Sequence, residues 1–202
     1  MLELYAFPFS GNSRKATIVL EEVGAEYQYN QIDLMQGEQK QPSYLEINPN
    51  GKVPVLGDGD LLLWESSAIL IYIAEKFPAA ELIPTDPILR AEMHQWLVWQ
   101  PGTYNPPVSA LNGQLMFTPT EQQDPEQIAT LRQTVAANTE IVATRLADQP
   151  YLLGAFSLAD IVMLPHLSAA AERGVELSAK ITNYLARLQT RPSWQKVSSM
   201  TP

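Results

Sequence analysis

The stretch N-P-N-G-K-V-P-V-L-G-D-G-D-L-L-L-W-E-S-S, residues 48–67, decides how the rest of the chain is read. Val53–Leu56 and Leu61–Trp64 are short runs rich in Val and Leu. Gly57-Asp58-Gly59-Asp60 between them carries turn chemistry, so the spacing predicts an antiparallel hairpin with a four-residue loop. Pro54 lies inside the first run and has no N–H to give a sheet ladder. That strand is therefore an edge, or the proline marks a backbone irregularity. After Trp64, Glu65-Ser66-Ser67 leads into Ala68–Phe77, an apolar helix. A carboxylate and two hydroxyls thus stand where helix N–H groups point outward, a position that favours anions. Each residue also has a structural use: serines cap, a glutamate suits the helix dipole, and most X-Pro bonds are trans.

Toward the N-terminus, Leu2–Phe7 alternates like a strand and Pro8–Ser13 is a loop by composition. From Arg14 the pattern is helical, with Ala16, Ile18, Val19 and Val23 on a buried stripe and Arg14, Lys15, Glu21 and Glu22 at exposed positions. Gly24 suits the residue just past the helix end. Tyr27–Leu34 is a second strand, and a short helix is expected near Ser43–Glu46. The order through residue 77 is β-α-β-α-β-β-α. Within it the V-P-V segment, the tight hairpin and Glu65-Ser66 at a helix start form one device, an edge strand for a peptide backbone with a charged pocket for its amino-acid end.

Pro78–Pro87 holds three prolines in ten residues and reads as a linker. The boundaries that follow are residues 1–77, linker 78–87 and an all-helical domain 88–202. Asp86-Pro87 and Asp124-Pro125 each place a capping side chain before a proline at the first helical position. The first opens a helix to about Gln100, interrupted at Pro101-Gly102 and resuming around Val108–Met116; the second runs to about Leu146. Ser157 and Asp160 have the spacing of a capping box at the next helix start. Pro165 predicts a kink or an early end there. Ser178–Thr190 is the last clear helix, stopped by Arg191-Pro192.

The formal net charge of -9 and the absence of any basic run argue against nucleic acid as a partner. The start lacks the marks of a secretory signal, and no apolar stretch is long enough to span a membrane. A cytoplasmic location is expected, with no membrane partner. With no cysteine in the chain, disulfides and thiolate chemistry of the protein's own are excluded. His94 and His166 are too isolated to suggest a metal centre, so no metal is expected.

The elements N-P-N-G-K-V-P-V-L at 48–56 and W-E-S-S-A-I at 64–69 resemble the glutathione-binding half of the glutathione transferase family. L-L-G-A-F-S-L-A-D-I at 152–161 is similar to that family's helical-domain folding motif, and Y-L-A-R-L-Q-T-R-P-S at 184–193 to its closing helix. One departure is Gly154-Ala155-Phe156, tighter and less acidic than the usual approach to the folding motif. The resemblance implies an α/β thioredoxin-like N-terminal domain followed by an all-α domain. It also implies glutathione as co-substrate, a cytosolic detoxification enzyme and a two-fold homodimer.

A free thiol, with a pKa of about 8.5, is only a few per cent thiolate at neutral pH, so such an enzyme must stabilise the sulfur anion. By resemblance to serine-type, bacterial-like members, Ser10 is the leading donor to sulfur. Asn12 matches a residue used in bacterial relatives, and Ser13 or a backbone N–H is a further candidate. Tyr5 falls in the strand pattern and reads as packing. Glu65 would receive the ligand's ammonium and Ser66 its α-carboxylate. Val53 would pair backbone to backbone beside Pro54, whose peptide bond is expected to be cis, and Lys52 would meet the glycyl carboxylate, with Lys40 or Gln36 as lesser candidates. Phe9, Trp99, Tyr104 and Phe117 are candidate walls for a small-molecule electrophile, or helix-packing residues. The implied activity is conjugation to small hydrophobic electrophiles. Glutathione-dependent reduction of disulfides or peroxides and a non-catalytic binding role are the alternatives.

Overall fold

A computed structural model describes residues 1–201. Strand β1 (Leu2–Ala6) is followed by helix α1 (Gly11–Glu22), β2 (Tyr27–Gln31), the short α2 (Pro42–Leu45), β3 (Val55–Asp58), β4 (Leu61–Trp64) and α3 (Ser66–Lys76). The sheet order is β2-β1-β3-β4. β2 runs parallel to β1, as a crossover through α1 requires, whereas β3 and β4 are antiparallel to their neighbours. This is the thioredoxin-like arrangement, and its element order is the one expected from the sequence.

Period-2 alternation gives the sheet two faces. Leu2, Leu4 and Ala6 are buried on one, and α1 and α3 pack against each other and against the central strands. On the alternate face Tyr5 joins Phe7, Tyr44, Val53, Val55, Ile32, Leu34 and Ile47 in a second apolar cluster. Tyr5 is thus a packing residue, its hydroxyl donating to Glu3 Oε2 at 2.9 Å.

Two local expectations change. The hairpin loop is Gly59-Asp60 alone, with Gly59 at φ 61°, because Gly57 and Asp58 pair with Leu62 and Leu61. β3 is also an internal strand, between β1 and β4, so of the two readings of Pro54 the edge fails and the backbone irregularity holds. Pro54 is compatible with that place because it lies just before the strand, where the Val53–Pro54 bond is cis.

The chain divides into two compact units, Met1–Ile83 with the segment from Thr190 onward, and Pro84–Gln189. The return of the last segment to the first unit departs from a boundary at residue 88. Arg191-Pro192 stops one helix and also opens another, α9 (Pro192–Ser198), with proline at its first turn. Arg191 donates through Nε and Nη2 to the Glu22 carboxylate, Ser193 donates to the same group, and Arg14 lies over the Trp194 ring.

The second unit is helical: α4 (Pro87–Trp99), α5 (Asn105–Asn112), α6 (Pro125–Leu146), α7 (Leu158–Glu172) and α8 (Ala179–Gln189). Asp86 and Asp124 cap α4 and α6 as their Asp-Pro signals predict. Pro101-Gly102 does not break the backbone. A π-helical turn over Gln100–Tyr104 carries α4 into α5, a wide turn that accommodates the missing proline N–H. α7 is buried on nearly every side, passes through Pro165 without ending, and forms the unit's centre.

Asp160 holds the start of α7 in place. Its carboxylate accepts the N–H of Ser157 at 2.9 Å, the N–H of Leu152 at 3.0 Å and the hydroxyl of Tyr184 at 2.7 Å. Burial pushes its pKa up to about 6, against the opposing pull of these donors. Removing the carboxylate leaves the donors buried without an acceptor. Asp160→Ala is expected to lower stability by about 3 kcal/mol, read as a fall in the urea midpoint. A midpoint within experimental error of the parent would refute this account of α7.

Candidate active site

Strand register brings three loops together. In the β1–β3 pair Tyr5 faces Val55, and in the β3–β4 pair Val55 faces Trp64. The exit of β1, the entry to β3 and the exit of β4 therefore share one end of the sheet. From that end run residues 7–13, 52–54 and 65–67.

The first loop turns into α1 through Ser10. Ser10 has extended backbone and is the N-cap, its Oγ accepting the N–H of Ser13 at 3.3 Å. This use engages a lone pair and leaves the hydroxyl proton to donate. Ser13 is differently placed: buried, with its Oγ accepting the N–H of Phe7 at 3.2 Å, it ties the loop to the helix. Asn12 is half-buried and its Oδ1 accepts from Lys15 Nζ at 2.9 Å. Lys15 itself is 0% exposed. This corrects its assignment to the exposed stripe: the side chain turns inward to Asn12 instead of reaching solvent. Burial lowers its pKa from 10.5 to about 7, partly opposed by the negative charge of Glu65.

The second loop is held by its carbonyl. Lys52 O accepts both Tyr44 Oη at 2.8 Å and Asn48 Nδ2 at 2.7 Å, which fixes the peptide leading into Val53. The Lys52 side chain remains exposed. Gly51 sits at φ 58°, and a Cβ there would lie 2.9 Å from both Gln39 O and Lys40 Nζ. Only glycine allows that approach, and it sets Lys40 beside the loop that carries Lys52. Gln36 is exposed; no contact joins it to this loop among the described hydrogen bonds.

In the third segment a single residue, Glu65, separates β4 from α3. Glu65 adopts φ 74° and ψ 113°, a region sparsely used by residues other than glycine and costing on the order of 1–3 kcal/mol. Its side chain is exposed and does not cap α3, so the first N–H groups of that helix are left to other partners. Ser66, the first residue of α3, is 7% exposed.

A family model described as glutathione S-transferase, N-terminal domain, matches residues 1–75. "Glutathione S-transferase F10" of Arabidopsis thaliana is 33% identical over 209 residues, covering 98% of this chain and 97% of the relative. The chain belongs to the glutathione S-transferase family. "Disulfide-bond oxidoreductase YfcG" of Escherichia coli (strain K12) is 31% identical over 203 residues, covering 96% and 92% of the two chains. Among solved structures, the theta class glutathione S-transferase from Xanthomonas axonopodis pv. citri, with glutathione bound, superposes with a TM-score of 0.92 at 32% identity, covering 99% and 98%.

In this glutathione S-transferase chain the apolar candidates have different surroundings. Phe9 in the first unit is 53% exposed, with its ring edge-on to Phe7. In the second unit Tyr104 is 0% exposed and stacks at a tilt on Trp99, as a packing residue does. Trp99 also lines a cavity of about 540 Å³ with Trp96, Ile141 and Arg145, whereas Phe117, 65% exposed, is not among that cavity's lining residues. Among the described residues no group of three or more His, Cys, Asp or Glu side chains is placed to hold a metal ion.

The residue that sequence reasoning misplaced is Lys15. A lysine three positions after an asparagine carries little signal, although the i, i+3 spacing puts both on one helix face. Its titration is visible in stability. The folded pKa lies below the unfolded one, so between about pH 7 and 10.5 the unfolded chain binds the extra proton. Stability therefore rises with pH across that window, by on the order of 1.4 kcal/mol per pH unit for this group, and its contribution is flat below it. Lys15→Met is expected to remove this gain when urea midpoints at neutral and alkaline pH are compared with the parent. Parallel pH dependences in the two proteins would rule it out.

Proposed function

We propose that this chain is a glutathione transferase joining the sulfur of glutathione to small hydrophobic electrophiles. The observation that carries this reading is the convergence, at one end of one sheet, of a donor-rich helix start, a clamped backbone segment and an exposed carboxylate on strained backbone. Glutathione offers a matching series of groups: a thiol, a peptide backbone and an amino-acid end.

In this reading Glu65 accepts the ligand's ammonium, while the Ser66 hydroxyl and the first N–H groups of α3 hold its α-carboxylate. Val53 pairs its backbone with the cysteinyl unit, and Pro54 shapes the approach. Lys52, with Lys40 beside it, faces the glycyl carboxylate. Ser10 donates its hydroxyl proton to sulfur, aided by the N-terminal field of α1. The thiol proton passes to solvent. A sulfur lone pair then forms the C–S bond, and the electrophile either loses its leaving group or takes up a proton where its double bond was. Phe9 offers an apolar wall to the electrophile. A two-fold homodimer in the cytoplasm completes the reading.

A second reaction, glutathione-dependent reduction of small disulfides, has the amide of Asn12 in its favour. The 31% identity to a protein named as a disulfide-bond oxidoreductase supports it further. Thiol consumption with aryl halides, enones and isothiocyanates, run beside disulfide turnover, separates the two. Conjugation exceeding reduction supports the first, and no conjugation despite tight glutathione binding overturns it.

Two substitutions test the assignments. Glu65→Ala is expected to weaken glutathione binding by roughly 1.5–3 kcal/mol in calorimetry, with a smaller effect on saturated turnover. Unchanged affinity would remove Glu65 from the site. Ser10→Ala is expected to lower kcat by on the order of 10² and to raise the pH at which bound glutathione ionises. The variant also loses a helix cap worth about 1 kcal/mol, so rates are compared well below the unfolding temperature. Intact rate and intact thiol titration would return Ser10 to a purely capping role.

A further inference from the structure

Lys15 is an amine placed where two effects oppose its positive charge. It is fully buried, and it lies near the N-terminal end of α1, where the helix field repels positive charge. Arg14, its neighbour, instead donates to Pro8 O and lies over Trp194. The Lys15 amine is directed to Asn12 Oδ1 at 2.9 Å, and the carboxylate of Glu65 attracts it. One buried amine thus bonds to the helix start that faces sulfur and feels the charge of the carboxylate that faces the ligand's ammonium.

The chemistry of the pair fixes an orientation. Lys15 Nζ donates to Asn12 Oδ1, and at and below about pH 7, where the amine keeps its proton, it has three donors and no acceptor and is met only by the oxygen of the asparagine amide. The Nδ2 group, with two N–H donors, is then the end of Asn12 available to a ligand. A neutral apolar neighbour would impose no such choice, and the amide could turn its oxygen outward, against a sulfur anion.

We propose that Lys15 is a positioning residue of the glutathione site, holding the Asn12 amide with its oxygen inward and its two N–H donors toward the thiol sulfur. The proposal rests on the glutathione reading given above. Asn12 then acts as a second sulfur donor beside the Ser10 hydroxyl. Below about pH 7, where Lys15 keeps its proton, the buried charge also attracts the thiolate more than the thiol.

Lys15→Gln and Lys15→Met separate orientation from charge. Glutamine keeps an N–H donor for Asn12 Oδ1 without the charge, and methionine keeps only the length. Both are compared with the parent and with Asn12→Ala by glutathione calorimetry, by kcat and KM, and by ultraviolet titration of the bound thiolate. For Lys15→Met, kcat is expected to fall about tenfold, as for loss of a residue that orients a contacting group. Its KM for glutathione should stay within about threefold, and thiolate formation should shift to higher pH. Lys15→Gln should recover part of kcat, and adding Lys15→Met to Asn12→Ala should cost much less than the two losses combined.

A wild-type kcat and thiol titration in Lys15→Met, with Asn12→Ala impaired, overturns the proposal while leaving the glutathione reading intact. Additive losses in the double variant also overturn it. If Lys15→Met proves too unstable to assay, Lys15→Gln decides: full loss of both rate and titration, equal to Asn12→Ala, assigns the effect to charge alone and rejects the orienting role. Absence of glutathione binding by the parent protein rejects both readings together.

Discussion

The antiparallel register of β1 against β3 is the constraint on which the site depends. Tyr5 opposite Val55 puts the exit of one strand beside the entry of the other, and the β3–β4 hairpin returns Glu65 to the same end. A slip of one residue would exchange the faces of the sheet, turning Leu4 and Ala6 out of their buried layer. It would also part Phe7 from Val53 in the second apolar cluster. Packing on both faces therefore enforces the convergence of the three loops at one end of the sheet. The loops can be short and irregular because strands without freedom to shift carry them.

Around this frame the electrostatics are local. The chain carries a net charge of -9, yet the proposed ligand is itself an anionic peptide. Screening over about 8–10 Å at ordinary ionic strength limits the reach of distant carboxylates. What remains near the site is the pair of helix starts, the buried Lys15 and the two lysines flanking Gly51. Glu65 adds an exposed negative charge at the same end of the sheet.

Much of this was legible because local side chain–backbone chemistry leaves a local trace. Asp-Pro predicted the starts of α4 and α6, Ser157 and Asp160 predicted the box at α7, and the V-P-V segment followed by E-S-S marked two of the three loops that share one end of the sheet. What escaped depends on partners far away in the chain. Lys15 reads as exposed because lysines usually are, and only the fold shows Asn12 and Glu65 around its buried amine. Pro192 reads as a stop signal. That it also begins α9 depends on Glu22, which sits 169 positions before Arg191. The proline at 101 misled differently: a wide helical turn absorbed it, a choice set by packing within the second unit and not by the proline.

The return of α9 to α1 has a consequence for how the protein is made. During synthesis the sheet, α1 and α3 leave the ribosome long before Arg191, Ser193 and Trp194 exist to meet Glu22 and Arg14. Until then the α1 surface that α9 will cover stays open, and the Glu22 carboxylate lacks its guanidinium. The half of the molecule that is translated first is thus among the last to be completed, and its final contacts form only after the whole helical unit has been made.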